Sequence, residues 1–308
     1  MTKTMSSVVG MIQAAAQTDH DPDTVARVAW TTVAAPGDEM VGALIADIGA
    51  ATALEAVFGE DPQPVEDLTV RRVRKRVGAL GAGRVAFALQ ASERQALTVV
   101  TPLEYAWPRR LDRLGPAAPV ALWTKGRVSL LRRPNAAVIG DAPLSSRGLH
   151  ATLELASQLA VRGYVVASSG TPGVDTAALL ATVAVRQAPM AVLSRGIDDD
   201  GLGDDRRLAD RVAETGVLVS EVPPGPPPDD YAPARGCQVL AAITDRTIVV
   251  EAGAHSEALA TARFARDLGR PVGAIPGPVD VAWGEGCAFL LEHAGAIPVM
   301  TADDAAWM

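Results

Sequence analysis

Aromatic side chains make up only 4% of this 308-residue sequence, and cysteine occurs twice, at Cys237 and Cys287. So few rings, set against many alanines and glycines, disfavour an aromatic-rich β-sandwich and favour helices packed closely on a sheet. Two cysteines cannot make a disulfide framework, and the four histidines are too scattered for metal-ligand spacing. The expectation is a reducing compartment and no metal site. No apolar run reaches the length of a membrane span, and Met1 to Gln17 lacks a long apolar segment with a basic flank, so a cytoplasmic chain without membrane association is expected. A net charge of -8 excludes a surface that is basic everywhere but leaves room for a local basic groove. Also missing are a G-x-G-x-x-G turn, a G-x-x-x-x-G-K-[ST] loop, a G-x-S-x-G elbow and a zinc triad, which disfavours dehydrogenases, P-loop ATPases and the common hydrolases. No cofactor is expected.

What is present is alternation. In Arg246–Gly277 a β-branched run, Ile248-Val249-Val250, meets Glu251-Ala252-Gly253, then Ser256 and an alanine-rich stretch closed by Gly269, then a second apolar run, Val272 to Ile275. This pattern predicts strand, turn, helix, strand, a βαβ unit that requires a parallel sheet. Upstream, strands are predicted at Ala136–Ile139, Tyr164–Ala167, Met190–Leu193 and Val217–Ser220, each followed by a helical pattern, with a rigid proline turn at Pro223–Pro228. Two more strands are predicted near Leu97–Val100 and Val120–Trp123. The fold class is therefore α/β: an extended Rossmann-like, doubly wound, mostly parallel sheet over residues 101–308. Before it, residues 22–60 read as three short helices broken at Pro36-Gly37-Asp38 and Gly49, a small helical domain of the helix-hairpin-helix or SAM-like kind. Residues 1–21 read as a frayed terminus. Residues 61–100 read as a linker and a basic helix carrying Arg71-Arg72-Val73-Arg74-Lys75-Arg76, which suits either a phosphate backbone or a solvated face.

Ligands of doubly wound sheets sit beyond the carboxyl ends of the strands. Three glycine- and hydroxyl-rich turns fall there: Gly140 to Gly148 with Ser145 and Ser146, Ser168 to Gly173 with Ser169, Gly170 and Thr171, and Gly253 to Ser256. Each leads into a helix N-terminus, where free N–H groups favour an anion; taken singly, each serine is more simply a plain helix cap, and it is the three turns together that favour an anion site. Arg147, Arg186, Arg195 and Arg235 are predicted near the same edge, a spread that suits a polyanion, with Tyr231 as a stacking ring or a buried closure of the proline loop. Asp175, Glu221 and Glu251 lie at strand ends or helix starts without a histidine or cysteine placed to make a nucleophile, so no catalytic residue is assigned and binding is favoured over catalysis.

The ordered motifs Ala137-Val138-Ile139-Gly140, Ser169-Gly170-Thr171-Pro172-Gly173-Val174-Asp175-Thr176-Ala177-Ala178, Ala191-Val192-Leu193-Ser194-Arg195-Gly196-Ile197-Asp198, Gly216-Val217-Leu218-Val219-Ser220-Glu221, Val249-Val250-Glu251-Ala252-Gly253 and Ala274-Ile275-Pro276-Gly277-Pro278 together resemble the DNA-processing protein DprA (Smf) family, from about Val25 to Ile297. The resemblance implies an extended Rossmann domain that binds single-stranded DNA without base specificity, forms a homodimer, and helps load the recombinase RecA in transformation or related recombination. Three motifs depart from it. Gly140-Asp141-Ala142 stands for Gly-Ser-Arg, Leu179 replaces a histidine after Asp175, and Pro233-Ala234-Arg235-Gly236-Cys237-Gln238 keeps one arginine of Pro-x-Arg-Asn-Arg. Each loss weakens the expected electrostatic grip. Two other readings remain open: a nucleotide sensor or nucleotide-processing enzyme using the same pocket, and a scaffold that has kept the fold without DNA.

Overall fold

The computed structural model describes residues 7–59, 68–197, 206–225, 234–277 and 281–308. Six helices come first: α1 (Val8–Ala16), α2 (Pro22–Val33), α3 (Glu39–Ile48), α4 (Ala50–Phe58), α5 (Leu68–Arg76) and α6 (Ala82–Arg94). Their ends are written in the sequence. Asp21 accepts from the N–H groups of Asp23 and Thr24 with Pro22 at the first helical position, and Asp38 accepts from Met40 and Val41. At Gly49, with φ of +84°, the chain turns by 113° between α3 and α4. A shared core of Ile12, Val25, Val28, Trp30, Leu44, Leu54, Val73 and Leu89 holds them together. No single helix among the described residues is long and apolar enough to cross a membrane.

Within the stretch 1–21 expected to fray, helix α1 is instead part of this core. In α1, Val8, Val9, Ile12 and Ala16 are buried and the helix packs on α6, so the region expected to be a linker and a basic helix also contributes a second helix, α6, to this core.

The rest is one nine-stranded sheet. Strands β1 (Thr98–Val100) and β2 (Leu122–Gly126) precede β3 (Asn135–Ile139), helix α7 (Ser146–Val161), β4 (Val165–Ser168), α8 (Val174–Ala184), β5 (Met190–Leu193), α9 (Arg206–Thr215) and β6 (Val217–Ser220). Then come α10 (Arg235–Ile243), β7 (Thr247–Val249), α11 (Glu257–Asp267), β8 (Val272–Ala274), α12 (Glu285–His293), β9 (Ile297–Pro298) and α13 (Ala302–Trp307). The spatial order is β1-β2-β6-β5-β4-β3-β7-β8-β9, parallel from β6 to β9, with β1 and β2 added antiparallel. Side chains alternate across it: Ala137 and Ile139 join the core under α10 and α11, whereas Ala136 and Val138 join the one under α7 and α8. The chain runs outward from β3 in one direction and resumes at its other neighbour, β7, so the topological switch point lies between these two strands.

Candidate nucleic-acid interface

All three predicted turns do meet at the carboxyl edge, but their donors are already engaged by the protein's own carboxylates. After β4, Asp175 accepts from Gly140 N at 3.1 Å, from Ser169 N at 2.9 Å and from the Ser169 hydroxyl. After β7, Glu251 accepts from Ser145 N at 3.0 Å and Ser145 Oγ at 2.5 Å, while Ser145 Oγ caps α7 at Gly148 N. At the switch point, Asp141 accepts from Gly253 N at 2.8 Å and from Ser256 Oγ at 2.5 Å, and Ser256 in turn caps α11. A carboxylate thus lies against the cap serine of α7 and of α11, where an incoming anion would sit, and a third ties the turn after β4 to the end of β3. The bridge from Asp141 to a turn more than a hundred residues away has no local signal in the sequence.

The glycines follow the same logic. A Cβ on Gly173, whose φ is +104°, would run into the Asp141 carbonyl, and one on Gly148 into the Glu251 carboxylate. These positions serve the close approach of protein groups to each other.

Between β3, β4 and β5 on one side and α10 and α11 on the other lies a cleft of about 230 Å³. Its floor and walls include Asp141, Asp175 and Glu257, the hydroxyl residues Ser169, Thr171 and Ser194, and Cys237, and none of its lining residues among those described is basic. Burial pushes the Asp175 carboxyl up to about 6, against the downward pull of its Ser169 and Gly140 donors. Burial also raises the Cys237 thiol and takes Cys287, beside Glu251, up to about 12, so neither offers a thiolate near neutrality. The cleft is a hydrogen-bond acceptor with acidic character. Among the described residues no group of three or more histidine, cysteine or acidic side chains is disposed to hold a metal ion.

The arginines separate. Arg147 is exposed in the first turn of α7, beside the chain that leaves β8, with Nη2 donating to Pro276 O at 3.0 Å. Arg195 follows β5 in the turn that Ser220 Oγ fastens through the Arg195 carbonyl at 2.7 Å. Arg186 does not reach this edge: it follows α8, which runs back from the carboxyl end of β4 to the amino end of β5, so it lies at the opposite edge. Arg235 is a second correction. Only 6% exposed, it forms a two-pronged pair with Glu221 (2.7 and 3.2 Å), donates to Gln238 Oε1 at 2.7 Å and to Ala117 O at 2.5 Å, and faces Gly37 of the helical unit. Burial raises the Glu221 carboxyl although the Arg235 guanidinium opposes it. Arg235 therefore joins the helical unit to the sheet. Tyr231 lies outside the described residues, Ser146 opens α7, and Gly170 and Gly253 lie in the turns after β4 and β7.

Residues 98–307 match the model of the DNA recombination-mediator protein A family. The chain belongs to that family. A DprA protein of Mycobacterium tuberculosis is 36% identical over 233 residues, 72% of this chain and 60% of the relative, and the DNA processing protein DprA of Streptococcus pneumoniae is 33% identical over 188 residues, 61% of this chain and 66% of the relative. The chain thus spans less than two thirds of the length of these DprA relatives. The X-ray structure of the S. pneumoniae DprA superposes with a TM-score of 0.66 at 26% identity, covering 83% of this chain and 92% of that one. A structure of Helicobacter pylori DprA, described for its single-stranded DNA binding mode, superposes with a TM-score of 0.58 at 22% identity over 68% of this chain and 93% of that one. The α/β sheet with its helical N-terminal region is the architecture of the S. pneumoniae DprA structure.

Proposed function

We propose that this chain is a single-stranded DNA-binding mediator that assists a RecA-type recombinase, acts as a homodimer in the cytoplasm, and performs no chemistry on the strand. The observation that supports this most is the family match over residues 98–307, which takes in the whole sheet and every turn at its carboxyl edge. The geometry refines it. Because Asp141, Asp175 and Glu251 fill the anion cradles, the phosphates run along the rim, past Arg147 and Arg195, while the acceptor-rich cleft faces base edges that donate hydrogen bonds. The same three acids argue against a small phosphorylated nucleotide as the ligand. High thiol pKa values and the absence of a nucleophile pattern support binding over catalysis.

The test is fluorescence anisotropy of labelled oligo-dT at about 50 and 200 mM salt, with Arg147→Ala beside the wild type. Affinity should fall with salt, and the variant should lower the salt slope by about 0.7, the loss of one phosphate contact to a single strand. An absence of binding even at the lower salt would refute this reading.

A further inference from the structure

Helix α5 carries Arg71, Arg72, Arg74, Lys75 and Arg76 in nine residues of a chain whose net charge is -8, and all five side chains are exposed. Two of them have structural work. Arg74 donates through Nε and Nη2 to the carbonyls of Val57 and Ala56 at the end of α4, and Arg76 pairs with Asp38, the cap of α3. Val70 and Val73 bury the opposite face. Arg71, Arg72 and Lys75 make no hydrogen bond or ion pair with any described residue. Spaced i, i+1 and i+4, they form one stripe, and like charges three and four residues apart oppose the helix that presents them. The C-terminal dipole favours Lys75, but Arg71 and Arg72 sit mid-helix where it gives little.

The stripe is also placed with respect to the cleft. The C-terminal end of α5 is tied to the loop 34–38 through Arg76 and Asp38, and the chain after it to the end of α2 through Gly78 N to Val33 O at 3.0 Å. Gly37 of that loop lies against the Arg235 guanidinium, which grips Glu221 at the carboxyl end of β6. The C-terminal end of the basic helix is therefore linked to the same edge of the sheet that holds the three turns. Resting on the single-strand reading above, we propose that the Arg71, Arg72 and Lys75 stripe is a second phosphate-binding surface, taking up the strand after it leaves the cleft rim. It lies outside the matched family region, on the helical unit.

The experiment compares wild type with Arg71→Ser/Arg72→Ser/Lys75→Ser on a short oligo-dT, about 6 nucleotides, and a long one, about 30, each across a salt series. The substituted positions are exposed, and an unchanged thermal transition verifies the fold. For the long strand the variant should bind at least about tenfold more weakly at low salt, with a salt slope smaller by about 2, as three lost single-strand contacts require. For the short strand, held at the rim, it should bind as the wild type does. Equal affinities and slopes on the long strand would overturn the proposal while leaving the cleft reading intact, and would leave the stripe to an acidic protein partner. No binding of either strand by the wild type would overturn both.

Discussion

Arg235→Ala distinguishes a structural arginine from a DNA contact. The guanidinium and the Glu221 carboxylate are each 6% exposed, and the substitution leaves the carboxylate buried with no counter-charge while removing the donors to Gln238 and Ala117. Breaking a buried pair from one side costs about 3–5 kcal/mol, a large share of the roughly 5–15 kcal/mol by which a domain is stable. Urea denaturation at pH 7 should show this loss. It should shrink toward pH 5. Glu221 already titrates above its ordinary range, and without Arg235 it rises further; the folded state then holds a proton that the unfolded state lacks, so stability increases as pH falls. Arg235→Met combined with Glu221→Leu removes both charges and should recover most of the deficit. If Arg235→Ala stays within about 1 kcal/mol of wild type yet loses oligo-dT binding, the residue is a strand contact and this reasoning is wrong.

Three other outcomes follow from the same contacts. Asp175, at about 6 in the folded state against 3.8, makes the native state bind more protons between those values, so stability should fall as pH rises from about 4 to 6, by about 3 kcal/mol for roughly two units at 1.36 kcal/mol each; Asp175→Asn should flatten that component, and matching slopes in the two proteins would count against it. Ile12→Ala should cost about 2–5 kcal/mol, because Ile12 is 1% exposed; an unchanged denaturation midpoint would mean that α1 does not belong to the core. Asp141→Asn removes a charge at the switch point while keeping its size; one like charge about 4 Å from a phosphate in water is worth about 1 kcal/mol, so oligo-dT should bind about fivefold more tightly at low salt, and weaker binding would show that Asp141 contributes to the grip.

Strand and helix alternation from Ala136 to Ile275 was legible because β-branched runs stop at glycines and hydroxyl-rich turns, signals that are local. The serine caps Ser145 and Ser256 were legible for the same reason. Helix α1 was not: nine residues of it are marginal alone, and its order comes from α6, more than sixty residues away. The opposite placement of Arg186 follows from topology, since a helix leaving a parallel strand must end at the other edge. Arg235 misled for a physical reason. An arginine beside a proline turn has the same local signature whether it meets a phosphate or a carboxylate, and Glu221, fourteen residues earlier, decides between them only once the chain is folded. The three filled cradles were hidden likewise, since Asp141 reaches its partner across 115 residues.

Strand β2 belongs to the sheet by its ladder, yet its Trp123 lies wholly within the helical core, its Nε1 donating to Ser92 Oγ at 3.0 Å. The segment shared across the family begins at residue 98, on the near side of that indole. The unit of inheritance and the unit of folding therefore have different borders: a protein cut where the family begins would expose a tryptophan and strand its N–H, and the emission of that ring would report whether the two halves are still closed on each other.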